Sequence, residues 1–451
     1  MIRNCAMLIA GVSIACSPGA VAEAAHVTSI ATDIRALLAA ARGAPEMVCS
    51  LAADAIGQGG WYGGHLSAPR MSLPPVNLGQ DGDRHDRRAD PADVQLLLDN
   101  LSSPDRCVRS LAVRVLGHFG GDDATQGLTA KLTDGDASVR ETAALGLGLI
   151  EPKNATLALI GALKDVTAGV RANTAWALGR VEDGRALQPL IGALGDADST
   201  VRDAVVGALG KLDSTSAIPA LLRVLREDKV ASVRRTAAWA LGNLEAQSAS
   251  KDLSDVLARD DDAQVREMCA WALGNIEARA GVTGLRISAQ KDADPRVREM
   301  SVWAIAEVED AESAEVLGAV LARDSDPRVR ATAAWALGNI DTHKAPAGLI
   351  TAVADTDDDI RIKSAWALGE IKDPAAVPAL REALRRERNT QARRAQLRAL
   401  VETGERSESM MTELLESSDP AVREAAIRGL AGRSVTNPWP WPQPRPRPFP
   451  R

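Results

Sequence analysis

Apolar positions in this chain follow a helical spacing that restarts about every 31 or 32 residues. With Val329 as position 0, apolar or small residues fall at positions 0, 4, 7, 8 and 11, namely Val329, Ala333, Ala336, Leu337 and Ile340. That spacing puts one buried stripe on a helix. The frame recurs from Val108, Val139, Val170, Val201, Val233, Val265, Val297, Ile360 and Val422, and in degenerate form near Ala392. Asp326 then Pro327 form a start signal, an N-cap followed by a residue suited to the first turn. Asp294-Pro295 and Asp419-Pro420 repeat it, and Asp105, Asp136, Asp198, Asp262 and Asp357 keep the cap alone. A second apolar helix precedes each copy, as at 187–194 and 217–225. One unit is therefore helix A, turn, helix B. Neither helix hides its stripe alone, so the units must stack. Glycine at position 9 costs about 1 kcal/mol in a helix interior, and its recurrence predicts a neighbouring backbone close by.

The remaining segments set the boundaries. Residues 1–24 read as an export signal: Arg3, a mostly apolar run over 5–16, and Ala22-Glu23-Ala24 as a small-x-small cleavage site. A lipid attachment at Cys16 is the other reading, with Ser13 a poor residue three places before it. The mature chain is expected to lack a transmembrane segment and to be periplasmic or secreted. Residues 25–57 form a divergent capping unit, with helix A near 30–41 and Asp54 where later units carry Trp. Residues 58–90 form a loop rich in Gly, Pro and Asp. Its Asp81, Asp83, His85 and Asp86 lack a recognised metal-ligand spacing, so no metal is expected, and Trp61 and Tyr62 are read as anchors. The array runs over 91–432, about twelve units in all. Residues 433–451 form a Pro-rich tail, Pro at every second residue favouring an extended conformation. It is either untethered or a contact to the cell envelope or to an aromatic groove.

Aromatic residues make up only 3% of the chain, so Ala, Leu, Val and Ile must build the core. A net charge of −7 argues against a nucleic-acid surface. The basic run over 385–398 reads as a solvated face. Cys269 at position 4 reads as a small buried hydrophobe. Cys49 and Cys107 sit near equivalent ends of adjacent B helices. A disulfide between them would suit an oxidising compartment, but spacing alone leaves it open.

Two further columns recur, one of Arg and one of Trp. Arg at position 1 appears as Arg140, Arg171, Arg202, Arg234, Arg266, Arg298, Arg330 and Arg361, with an Asp three residues before the Val in most units. The pair predicts a structural ladder in which each Arg bridges one turn to the next through bidentate bonds to Asp or to helix-end carbonyls. Trp at position 6 appears as Trp176, Trp239, Trp271, Trp303, Trp335 and Trp366. Position 6 lies away from the buried stripe and shares a face with positions 2, 3 and 10. That face carries Glu267, Met268 and Asn275, then Glu299, Met300 and Glu307, and later Thr332, Asn339, Lys363 and Glu370. The indoles either bind a partner along this face or lie on the neighbouring B helix.

The frame Asp-Pro-x-Val-Arg-x-x-Ala-Ala-x-Ala-Leu-Gly-x-Ile at this short period resembles HEAT repeats of the phycobilisome-lyase type. The resemblance covers about 91–432, with a divergent unit at 27–57. It implies an all-α fold, a right-handed α-α superhelix with B helices on the concave side. Bilin lyase subunits share such repeats, but no residue pattern here marks a bilin site. Deoxyhypusine hydroxylase is similar in pattern and holds iron through His-Glu pairs. His26, His65, His85, His118 and His343 are none of them followed by Glu, so that activity does not carry over. No phosphate loop, nucleophile elbow, His-Glu-x-x-His or Cys-x-x-Cys is present. The acidic runs 260–262 and 357–359 read as caps and solvated charge. The expectation is an exported, non-enzymatic scaffold without a cofactor, binding a protein or peptide on its Trp-lined face; a lyase-type enzyme or subunit is the alternative.

Overall fold

The structure, a computed structural model, describes residues 34–45 and 90–404, with scattered positions between 412 and 427. The export signal, the first B helix, nearly all of the 58–90 loop, most of the last unit and the tail lie outside the described residues. Helix α1 spans Ile34–Ala41. Ten helix pairs follow. In chain order they are α2 Pro91–Asn100 and α3 Arg106–Phe119, α4 Asp122–Lys131 and α5 Ala137–Ile150, α6 Thr156–Ala162 and α7 Ala168–Val181, α8 Leu187–Ala193 and α9 Ser199–Lys211, then α10 Ile218–Glu227 and α11 Ala231–Asn243. The second half comprises α12 Ser250–Arg259 and α13 Ala263–Asn275, α14 Val282–Lys291 and α15 Pro295–Glu307, α16 Ala314–Arg323 and α17 Pro327–Asn339, α18 Ala347–Ala352 and α19 Asp358–Ile371, α20 Val377–Arg386 and α21 Thr390–Glu402. From α2 onward the even helices are A and the odd ones B. No strand occurs among the described residues.

The B helices start where their caps dictate. Asp326 accepts from the Arg328 backbone N–H at 2.9 Å, and Asp262 from Gln264 at 2.8 Å. Asp105 caps α3 and also accepts from the Gly43 N–H at 2.7 Å, tying the first unit to the second. Position 8 is fully buried in all ten B helices, from Leu116 to Leu400. Gly or Ala fills position 7 in every B helix after α3, which has Val115 there, and each B helix packs against the next more extensively than the A helices pack on each other. In a stack with unequal spacing the closer row lies inside the curve, so the B helices form the concave side.

The glycines at position 9 allow that approach. A β-carbon on Gly179 would stand 2.7 Å from Cα of Ala208, and one on Gly274 would stand 2.9 Å from Cα of Ala304. Both are sub-contact distances, which accounts for glycine in spite of its helix penalty. The links from B to the next A hold short 3-10 helices such as Gly184–Ala186 and Ala311–Ser313. The B helices end with Glu151, Glu182, Asp213, Glu245, Glu277, Glu309 and Lys372 at positive φ, between 46° and 61°. Glycine is the usual residue in that conformation.

Candidate functional site

The B helices are held in register by the Arg column. Arg234 donates from Nε and Nη2 to the two carboxylate oxygens of Asp260 at 2.7 and 2.8 Å, and from Nη1 to the Asp228 carbonyl at 2.9 Å. Arg140 with Asp165, Arg171 with Asp196, Arg202 with Asp228, Arg266 with Asp292 and Arg298 with Asp324 repeat the bidentate pair. Arg361 takes Glu387 instead. Arg330 has only one long bond to Asp355, at 3.5 Å.

The partner is not the Asp three residues before the Val, as the sequence spacing suggested. That residue is the N-cap, its oxygen turned to the helix N–H groups. The ladder uses an acid two residues earlier still, in the A–B turn of the following unit. The same acid orders its own turn, as when Asp260 accepts from the Asp262 N–H at 2.9 Å. Arg171 holds the Asp196 carboxyl below the usual carboxylate range, burial opposing it.

The indoles occupy the grooves between consecutive B helices. A β-carbon on Gly148 would stand 2.3 Å from Cζ3 of Trp176, and the corresponding distances are 2.9 Å for Gly210 to Trp239, 2.7 Å for Gly242 to Trp271, 2.8 Å for Gly274 to Trp303 and 2.4 Å for Gly338 to Trp366. Glycine at position 9 of one unit is the notch for the Trp of the next. Trp176, Trp239 and Trp303 are buried, while Trp271, Trp335 and Trp366 keep an exposed edge. Trp335 faces a unit with Ala306, not glycine, at position 9.

The solvent face is narrower than helical projection indicates. Met268 and Met300 at position 3 are fully buried, as is Thr332 to within 1%. Both Met side chains belong to the core rather than to the open face. Position 10 stays at the surface: Asn243, Asn275, Glu307, Asn339 and Glu370 are exposed. Asn275 Nδ2 donates to the Gly242 carbonyl at 3.1 Å, whereas Asn339 Nδ2 donates to the carbonyl of Trp335 in its own helix at 2.8 Å. Glu267 and Glu299 at position 2 are half-buried on the opposite flank of the indoles. Glu299 accepts from Thr332 Oγ1 at 3.3 Å.

Burial pushes the Glu267 carboxyl up to about 7, with Arg296, Asp294, Glu299 and Arg235 the charges around it. Burial raises Glu299 and Asp203, also at position 2, in the same direction. A carboxyl raised on folding contributes stability below its unfolded value of about 4.3 and loses that contribution as pH rises through the folded value. Glu267→Gln is therefore expected to raise the melting temperature at pH 8, with the gain shrinking toward pH 5. Melting curves across that range check it, and a gain independent of pH would contradict it.

Other candidate chemistry is sparse. Cys269 is a buried free thiol, its ionisation suppressed by burial. Cys107 is disulfide-bonded, and its suggested partner Cys49 lies outside the described residues. Among the described residues no three His, Cys, Asp or Glu side chains form a metal-holding group, and no helix is long and apolar enough to cross a membrane.

The family model for HEAT repeats matches residues 94–170, 156–242, 224–291, 282–361 and 315–401. No curated relative matches the chain. Among solved structures, importin beta shares the fold at TM-score 0.56 and 14% identity, over 74% of this chain and 57% of its own. An engineered protein matches at 24% identity over 75% of this chain and 98% of its own, with TM-score 0.38. The complex of CpcE and CpcF of phycocyanin lyase from Nostoc sp. PCC7120 matches at 26% identity over 51% of this chain and 91% of its own, with TM-score 0.33.

Proposed function

The chain belongs to the HEAT-repeat family, and from that premise we propose that it is an exported, non-enzymatic scaffold holding a protein or peptide partner along its B-helix face. The observation that carries this reading is the row of indole edges at Trp271, Trp335 and Trp366, beside the exposed side chains of Asn275, Asn339, Glu307 and Glu370. Aromatic anchors with polar rims are the composition of a binding hot spot. Trp176, Trp239 and Trp303 support the row from within, since their packing fixes its spacing. The disulfide at Cys107 supports export, because such bonds persist in oxidising compartments.

Photo-crosslinking residues placed one at a time test the reading in the native host. Asn339 and Glu307 lie on the B face, and Ile287 is exposed on the A helix α14. Adducts of one defined mass are expected from the first two positions and not from Ile287. Adducts from Ile287 alone, or equally from all three, would defeat the proposal.

A further inference from the structure

The B-helix face contains its own example of what it can hold. Arg180 places its guanidinium over Trp176, 5.9 Å from the ring centroid, and pairs with Glu151 at the end of the preceding B helix. Lys211 lies over Trp239 at 5.7 Å. At the other end of the array the charges are exchanged, with Lys372 paired to Glu402 at 3.8 Å. In both ion pairs, position 12 of one unit meets position 10 of the next. Between these ends the repeat pattern sets Asp213 with Asn243, Glu245 with Asn275, Glu277 with Glu307, and Glu309 with Asn339, whereas Glu370 at the following junction is already paired with Arg398 at 3.4 Å. Position 12 is acidic at every one of these junctions, and position 10 offers no cation. Among the described residues no cation covers Trp271, Trp303 or Trp335, and no ion pair reaches Glu245, Glu277 or Glu309.

We propose that this middle stretch binds an extended basic peptide from another protein, its Arg or Lys side chains taking the positions that Arg180 fills in its own unit. The inference rests on the scaffold reading above and names the chemistry of the partner. A cation there gains the face of an indole and a carboxylate together. Glu267 and Glu299 flank the rings on the far side, and a cation bound there would favour their ionised forms against the burial that opposes them. Phosphate-bearing partners are repelled by the same carboxylates. Spacing favours an extended chain: consecutive helices lie roughly 8–10 Å apart, and three residues of polyproline conformation rise about 9 Å. One cation every third residue would therefore keep step with the units.

The test uses the full chain and a labelled (Arg-Pro-Pro)5 peptide, with (Glu-Pro-Pro)5 as its acidic counterpart. Fluorescence anisotropy at low salt should show binding of the basic peptide only, accompanied by a change in indole emission. The paired substitution Glu277→Lys with Glu309→Lys should weaken binding at least tenfold; Lys372 occupies the same left-handed position natively. Glu227→Lys with Glu315→Lys makes the same charge change on exposed A-helix positions and should change affinity less than twofold. Equal losses in the two pairs, or equal binding of both peptides, would overturn the proposal. A tenfold gain in affinity on changing Arg445, Arg447 and Arg451 to Glu would also overturn it, assigning the face to the chain's own tail. Absence of basic-peptide binding alongside defined adducts from Asn339 would remove this inference and leave the scaffold reading standing.

Discussion

Asp260→Ala is expected to lower the stability of the array by about 3–5 kcal/mol, read from the urea midpoint at constant slope. The carboxylate accepts both Arg234 bonds, and the side chains are 16% and 7% exposed for Arg234 and Asp260. Removing it leaves a mostly buried guanidinium with one carbonyl partner, and that uncompensated charge is what costs stability. Replacing both partners by apolar residues, Arg234→Met with Asp260→Leu, should cost much less, because neither then leaves an orphaned charge. If the single change were as mild as the double, the ladder would be ornamental. Asp355→Ala gives an internal comparison, since Arg330 reaches Asp355 only at 3.5 Å; its effect should be smaller. In a repeat array each unit is stabilised by its neighbours, so the Asp260 lesion should weaken the junction between α11 and α13 first and broaden unfolding there. The same pairs predict the acid limb. Folding lowers the carboxyl of Asp196, through Arg171 chiefly, and those of Asp228 and Asp260, where desolvation is the largest single influence and is outweighed by the Arg bond, a backbone N–H bond and the neighbouring Arg charges together. Lowered carboxyls contribute stability above their unfolded value of about 3.9 and lose it as pH falls through the folded value. Acid unfolding should therefore begin below pH 4.

Much of this architecture could be read from residues alone. The Asp caps, the five-position stripe and the recurring glycine are local signals, each with a local cause. The Arg column was legible as a ladder but not in its pairing. Two acids stand near each turn, and only the geometry separates the one facing the helix N–H groups from the one facing the neighbouring Arg. Met268 and Met300 show a second limit. Helical projection gives a direction from one axis, while burial there depends on how closely the neighbouring helices stack. The left-handed ends were also hidden, because nothing in Glu245 or Glu277 marks a conformation that glycine favours.

Trp303→Ala should cost about 3–5 kcal/mol, the range for truncating a large buried aromatic. Trp335→Ala should cost distinctly less, and the contrast separates packing from recognition within one column. The Trp303 ring fills the notch left by Gly274, with only 9% of the residue exposed. Trp335 meets Ala306, whose methyl group occupies part of the equivalent notch, and its ring keeps an exposed edge. Buried area lost on truncation is therefore larger at 303. Accessible area lost is larger at 335, so the rank order for binding a basic peptide should invert. Chemical denaturation and anisotropy on the two variants, run on the same preparations, check both halves. Equal destabilisation at the two positions would mean that Ala306 does not lift the ring. A loss of binding only where stability falls would mean that the indoles act through the fold and never touch the partner.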